Sequence, residues 1–154
     1  MPLLFLLTAL LSLFSTPSPE QTAFNYFASR LVAQYYPLAK HLYLTGHSEA
    51  EASLVGPFAA CFPGTGFDSF WRGQQAITMS PVPIVYREFP VFKRTNAFRT
   101  GGLQVRVQRA VSGPSGTFVH LYVYRPQHFV DHYLIKVSAA TSAVVDICRG
   151  SETI

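Results

Sequence analysis

The sequence predicts an α+β domain in which one long N-terminal amphipathic helix packs on a four- to five-stranded antiparallel sheet. Two observations lead to this fold class. Apolar residues recur at spacings of three and four between residues 19 and 36, and from residue 103 onward the apolar period becomes two. A helix followed by an antiparallel meander folds as a roll, with the helix lying across the apolar face of the sheet.

The helix is predicted to run from Pro19 to Tyr36. Ser18 suits the N-cap, proline suits the first helical position, and Gln21 completes a capping box. The helix ends before Pro37, because proline removes a backbone donor and disfavours helical geometry in the preceding residue. The apolar face of this helix consists of Phe24, Phe27, Leu31 and Tyr35.

The middle of the chain carries weaker signals. Residues 41–44 either continue the helix past a kink or form a short strand. A second capping box at Ser48 and Glu51 predicts a short helix. Prolines are frequent between residues 76 and 92, and since proline confines a strand to a sheet edge, residues 84–86 are predicted as a short edge strand.

The meander is predicted over residues 103–108, 118–125, 132–138 and 143–148. In its second strand, alternating residues separate into two faces. Val119, Leu121 and Val123 are expected to meet the helix, and Phe118, His120, Tyr122 and Tyr124 are expected to point away from it.

Residues 1–17 are predicted as a signal peptide or an N-terminal anchor, and residues 18–154 as a single domain. The leader has an apolar run of about twelve residues without charge, the length of a signal-peptide core and too short to span a bilayer. We therefore expect the protein to be exported to the periplasm or the extracellular space. Contact with a membrane is expected only through an uncleaved leader.

Cys61 and Cys148 are the two cysteines of the chain. In an oxidising compartment an even pair predicts a disulfide. The bridge would close a loop of about 88 residues, worth about 4–5 kcal/mol in the chain-entropy description. The two cysteines lack the CxxC spacing of a zinc site or a thioredoxin-like redox motif.

The charge is basic, with 12 Lys and Arg against 8 Asp and Glu. The cations concentrate in one stretch that contains a single anion, Glu88. Such a stretch is either an ordinary solvated surface or a patch that attracts an anionic surface or glycan; for an exported chain we do not expect nucleic acid. Its members are Arg87, Lys93, Arg94, Arg99, Arg106, Arg109 and Arg125.

The predicted binding surface is the sheet face turned away from the helix, with the aromatic segment of residues 58–71 beside it. Tyrosine rings and cations on a strand supply contact area at low entropic cost. The residues predicted to bind a partner protein or small molecule are Arg106, His120, Tyr122, Tyr124 and Trp71.

No catalytic residue, metal site or cofactor is predicted. His128 and His132 are four residues apart, but they lie between two strand patterns and not on a helix. Asp131 neighbours His132, and adjacent strand residues point to opposite faces. An enzymatic alternative would use His120, His132 or Asp131 as acid or base in a cavity between helix and sheet, which the helix side chains would have to leave open.

The element order resembles the cystatin-like and nuclear-transport-factor-2-like rolls. The segment at 104–108, Gln-Val-Arg-Val-Gln, is the nearest match to the inhibitory Q-x-V-x-G hairpin of cystatins and lacks its glycine. The run at 133–146 is similar to the C-terminal hairpin of PepSY-type periplasmic domains, with Ser142 where glycine is usual. We therefore expect a non-enzymatic exported binding module; the resemblances imply, as alternatives, a small-cavity hydrolase or isomerase and a cystatin-type protease inhibitor.

Overall fold

The computed structural model describes residues 16–44, 47–49, 51–52, 61–62, 77–85, 102–113, 115–125 and 129–153. Over these residues the predicted α+β class is confirmed. The first fifteen residues of the predicted leader, together with Trp71 and His128, lie outside the described residues. In the part of the chain that is described, no helix is both long enough and apolar enough to span a membrane.

The helical region consists of α1 (Pro19–Tyr26), a π-helical turn (Phe27–Leu31) and α2 (Val32–Tyr35). The hydroxyl of Ser18 accepts a hydrogen bond from the backbone N–H of Gln21 at 3.1 Å, so the predicted N-cap is confirmed.

The side chain of Gln21 does not complete the capping box. Its amide pairs with the backbone of Val85, donating to the carbonyl and accepting from the N–H at 2.7 Å each. Residues 84 and 85 form no strand in the described structure. The predicted edge strand at residues 84–86 is therefore wrong for these two residues. Ile84 is buried against the core, and Tyr86 lies outside the described residues.

The π-helical turn shifts the register of the helix by one residue. Its hydrogen bond runs from the N–H of Val32 to the carbonyl of Phe27, five residues back. An extra residue in one turn rotates the next turn of the chain relative to a regular α-helix. After it, Tyr36 leaves helical geometry with φ −134° and ψ 57°, and its hydroxyl reaches the sheet.

The described residues form a six-stranded sheet and a separate two-stranded one. The order in the large sheet is β1-β4-β6-β7-β8, with β5 also pairing with β6. The strands are β1 (His41–Leu44), β2 (Glu51–Ala52), β3 (Ile77–Thr78), β4 (Gly102–Val107), β5 (Val111–Gly113), β6 (Gly116–Arg125), β7 (Phe129–Val137) and β8 (Val144–Thr153). The small sheet pairs β2 with β3.

Several features differ from the predicted arrangement of strands and helices. The sheet is antiparallel except for β1, which pairs in parallel with β4, and its described strands number six. Strand β7 begins at Phe129, and β8 continues to Thr153, past the predicted end at residue 148. Ser48 starts no helix, since its hydroxyl accepts from the N–H of Val82 at 3.0 Å.

The main core lies between the helix and the sheet. Phe24 and Phe27 are fully buried there and Leu31 is 4% exposed. They share one apolar cluster with side chains of the central strands, including Val105, Val107, Val119, Leu121, Val123, Tyr133 and Ile135.

The opposite face of the sheet carries a second, smaller cluster around the disulfide. Cys61 is bonded to Cys148, as predicted, with a Cα–Cα distance of 5.8 Å. Phe62 and Cys61 pack on Phe118 and Leu134, which point away from the helix. The disulfide therefore attaches a mid-chain segment to this face at the edge strand β8.

Candidate functional site

The predicted binding residues of β4 and β6 come together on the sheet face turned away from the helix. The strand register places Arg106 opposite Tyr122, and Tyr122 opposite His132. The ring centres of His120 and Tyr122 are 4.0 Å apart, and those of Tyr122 and Tyr124 are 6.5 Å apart. The guanidinium of Arg106 lies 5.2 Å from the ring centre of Tyr124.

These residues differ in solvent exposure. Tyr122 and Tyr124 are partly exposed, and the side chain of Arg106 is 38% exposed. His120 is only 2% exposed, so it lies beneath the surface that was predicted to include it. The single described ion pair of Arg106 is a long one, 3.9 Å from its Nε to a carboxylate oxygen of Glu49.

A continuous polar chain runs under this surface. Gln108 donates from Nε2 to the Tyr122 hydroxyl at 3.3 Å, and its Oε1 is 3.0 Å from Nδ1 of His120. Because an amide oxygen accepts only, Nδ1 of His120 carries the proton. Nε2 of His120 lies 3.1 Å from Nδ1 of His132, and Nε2 of His132 lies 3.0 Å from Glu152. That last contact is an ion-pair approach whose geometry falls short of a hydrogen bond.

A second polar cluster lies on the helix side of the sheet, around the fully buried carboxylate of Asp131. The hydroxyls of Tyr36 and Ser151 each donate to it at 2.5 Å. Nε of Arg125 is 2.8 Å from Oδ2, and Nη2 of Arg149 is 3.4 Å from Oδ1. The sequence pattern gives no sign of this cluster.

The environment of Asp131 keeps it ionised. Burial alone would raise the pKa of Asp131, but hydrogen bonds from Ser151 and Tyr36 and the charges of Arg125 and Arg149 outweigh it and lower the pKa below its usual value. Burial, reinforced by the bond to the carboxylate, raises the pKa of Tyr36 far above its usual value. Asp131 is thus a fixed negative charge, since a general acid or base needs a pKa near the working pH.

The two polar clusters are separated by the sheet itself. Asp131 and His132 are neighbours in β7, and their side chains take part in clusters on opposite faces, as strand alternation predicts. The carboxylate of Asp131 and the imidazole of His120 therefore do not converge on one site.

Two arginines of the predicted basic stretch form ion pairs with buried carboxylates. Glu20, 1% exposed, is ion-paired with Arg109 and accepts from the N–H of Ala110 at 2.8 Å. Arg125 is ion-paired with Asp131, whose carboxylate it shares with Arg149. Of the three cations of this stretch that the structure describes, Arg106 has the longest ion-pair distance.

Sequence reasoning missed Gln108, Glu152, Glu20 and Asp131 as members of these networks. Polar residues of these types are ordinarily solvated, so pattern alone gave no signal for these contacts. Within the described part of the chain, no three His, Cys, Asp or Glu side chains are grouped closely enough to hold a metal ion.

The comparisons with known proteins leave the chain without an assigned relative. No family model matches it, and comparison with curated proteins and with solved structures gives no significant match.

Proposed function

We propose that the protein is an exported, non-enzymatic binding module that recognises an anionic ligand through Arg106, Tyr122 and Tyr124. The observation that carries the proposal is the stacking of the Arg106 guanidinium on Tyr124, with Tyr122 alongside, on a partly exposed strand surface. A cation held against aromatic rings presents its N–H donors in a fixed plane, which suits a planar or tetrahedral oxyanion.

The polar chain beneath the surface supports a binding role for it. Tyr122 is held by Gln108, and Gln108 is held in turn by the buried His120. A recognition residue that is already fixed loses less conformational entropy when a partner arrives.

The core supports the non-enzymatic part of the proposal. The enzymatic alternative needs a cavity between helix and sheet, and Phe24, Phe27 and Leu31 fill that space with buried side chains. The inhibitor alternative needs an exposed wedge at residues 111–118, and Val111 and Phe118, which bound that segment, are both buried. Export is part of the proposal because the disulfide is typical of a non-reducing compartment.

The test uses heparin as the anionic probe and dextran as the neutral one, with the disulfide intact. Arg106→Gln and Tyr124→Ser remove the stacked pair. Arg30→Gln is the matched control, because Arg30 is an exposed cation in the helical region, on the other side of the sheet. We expect the protein to bind heparin and not dextran, and each test substitution to weaken binding about tenfold.

The proposed surface is wrong if the Arg106→Gln and Arg30→Gln proteins lose the same affinity, because binding then follows net charge alone. It is also wrong if heparin affinity survives both test substitutions, or if the parent protein does not bind heparin.

A further inference from the structure

Two arginines converge on one buried oxygen at the helix side of the sheet. Nη2 of Arg125 lies 3.2 Å from Oδ1 of Asp131, and Nη2 of Arg149 lies 3.4 Å from the same atom. Arg125 ends β6 and Arg149 lies in β8, so β7 between them brings the two guanidiniums together through Asp131.

The charge of this group is not balanced. Two guanidiniums face one carboxylate, and among the described residues no other carboxylate lies at ion-pair distance from either of them. Asp131 also accepts from Tyr36 and Ser151, so its lone pairs are shared among four donor side chains. Counted over the described residues, one unit of positive charge is left over.

The excess charge is accessible. The carboxylate is fully buried, whereas the side chains of Arg125 and Arg149 are 33% and 36% exposed. Each guanidinium has five N–H donors, more than its contacts with Asp131 use. Arg125 lies over the ring of Phe129 at 5.0 Å and Arg149 over the ring of Tyr35 at 4.4 Å, so stacking fixes both planes.

We propose that Arg125 and Arg149 form a binding site for a small oxyanion: a phosphate, sulphate or carboxylate group. Paired guanidiniums match the oxygen spacing of such groups by bidentate hydrogen bonds. The buried carboxylate holds both side chains in place before the ligand arrives, and the bound anion balances the remaining charge. The site lies on the opposite face from Arg106 and does not depend on the function proposed above.

The test follows the arginine Nε–H signals of the full, disulfide-bonded chain by NMR while inorganic phosphate replaces sodium chloride at constant ionic strength. We expect saturable shifts at Arg125 and Arg149, and none when chloride alone is varied. Arg149→Gln is expected to weaken phosphate binding about tenfold, because one of the two guanidiniums that hydrogen-bond the anion is lost. Lys40→Gln removes an exposed charge outside the cluster and is expected to leave binding unchanged.

A second variant separates binding from folding. Ser151→Ala removes one hydrogen bond to Asp131 and no charge. We expect it to lower stability and to bind phosphate like the parent. Titration with glycerol 3-phosphate tests whether the site prefers a phosphate carried on a larger molecule or free inorganic phosphate. Tighter binding of glycerol 3-phosphate indicates a phosphate ester as the ligand, and equal binding indicates the free ion.

The proposal is overturned if phosphate produces no saturable shift at the two arginines or if chloride produces the same one. It is equally overturned if Ser151→Ala reduces binding as much as Arg149→Gln, since the effect would then come from disruption of the cluster.

Discussion

Tyr36 donates a 2.5 Å hydrogen bond to Asp131, 95 residues further along the chain. The Tyr36 hydroxyl also lies 2.9 Å from that of Tyr133, and since its own proton is directed to the carboxylate, Tyr133 is the donor in this pair. With Arg125 in β6 and Ser151 in β8, the carboxylate joins the end of the helix to three neighbouring strands. Stability and pH response should both depend on it.

Asp131→Asn is expected to destabilise the fold by about 2–4 kcal/mol, because it leaves two guanidiniums without their counter-charge. The free energy of unfolding from urea titration measures this. Asp146→Asn is the matched control: Asp146 is exposed and bonds the adjacent backbone N–H of Ile147, so a change within about 0.5 kcal/mol is expected. Equal effects of the two substitutions would contradict the role given to Asp131.

Stability is expected to fall in acid partly through the same residue. The pKa of Asp131 is lower in the folded protein than its ordinary value of about 3.9, so its contribution is fully present above about pH 5 and is lost as the pH falls through the folded pKa. The Asp131→Asn protein lacks this contribution. Its unfolding free energy should therefore drop less than that of the parent between neutral and strongly acidic pH; parallel pH curves would refute the assignment.

Reduction of the disulfide is expected to cost about 4–5 kcal/mol, because Cys61 and Cys148 are 87 residues apart and the bond restricts a long loop in the unfolded chain. Thermal melting with and without dithiothreitol measures the loss. A Cys61→Ala/Cys148→Ala protein should melt near the reduced parent and show no response to dithiothreitol. An unchanged melting temperature of the parent on reduction would contradict this account.

Glu20→Gln is expected to cost about 2–4 kcal/mol, since Glu20 is buried and is the ion-pair partner of Arg109. The comparison variant is Glu49→Gln. Its partner Arg106 is 3.9 Å away and both side chains are more than a third exposed, so about 0.5 kcal/mol or less is expected. Urea unfolding of both proteins checks the difference, and a reversed order would show that burial does not decide the strength of these pairs.

Much of the fold can be predicted from local pattern. Ser18 marks the helix start, the alternation of residues 118–125 separates core from second face, and the cysteine count predicts the bridge. The first prediction depends on helix capping, the second on the two-residue period of a strand, and the third on the pairing of cysteines in an oxidising compartment. The proposed grouping of Arg106, Tyr122 and Tyr124 on one face rests on the same alternation, and their binding of a partner stays a prediction.

The remainder depends on contacts between distant parts of the chain. Periodicity identifies β1 as a candidate strand but carries no information on direction, so its parallel pairing with β4 was not predicted. The predicted third strand of the meander starts at residue 132 and leaves Asp131 in the connection before it, whereas side chains from the helix and from β6 and β8 make its burial in β7 favourable. Ser48 lies in a capping-box sequence, but its hydroxyl accepts a hydrogen bond from the backbone N–H of Val82 instead of capping a helix.

The distance along the chain between the helix and its partners also has a consequence for biosynthesis. At about 5–20 residues per second, the helix is synthesised about 5–20 s before Asp131 and Tyr133. Through that interval Phe24 and Phe27, which the finished protein buries completely, have no complete sheet to cover them, because β7 and β8 are not yet made. The nascent chain therefore exposes an apolar helix face, the kind of surface that chaperones bind until the last strands emerge.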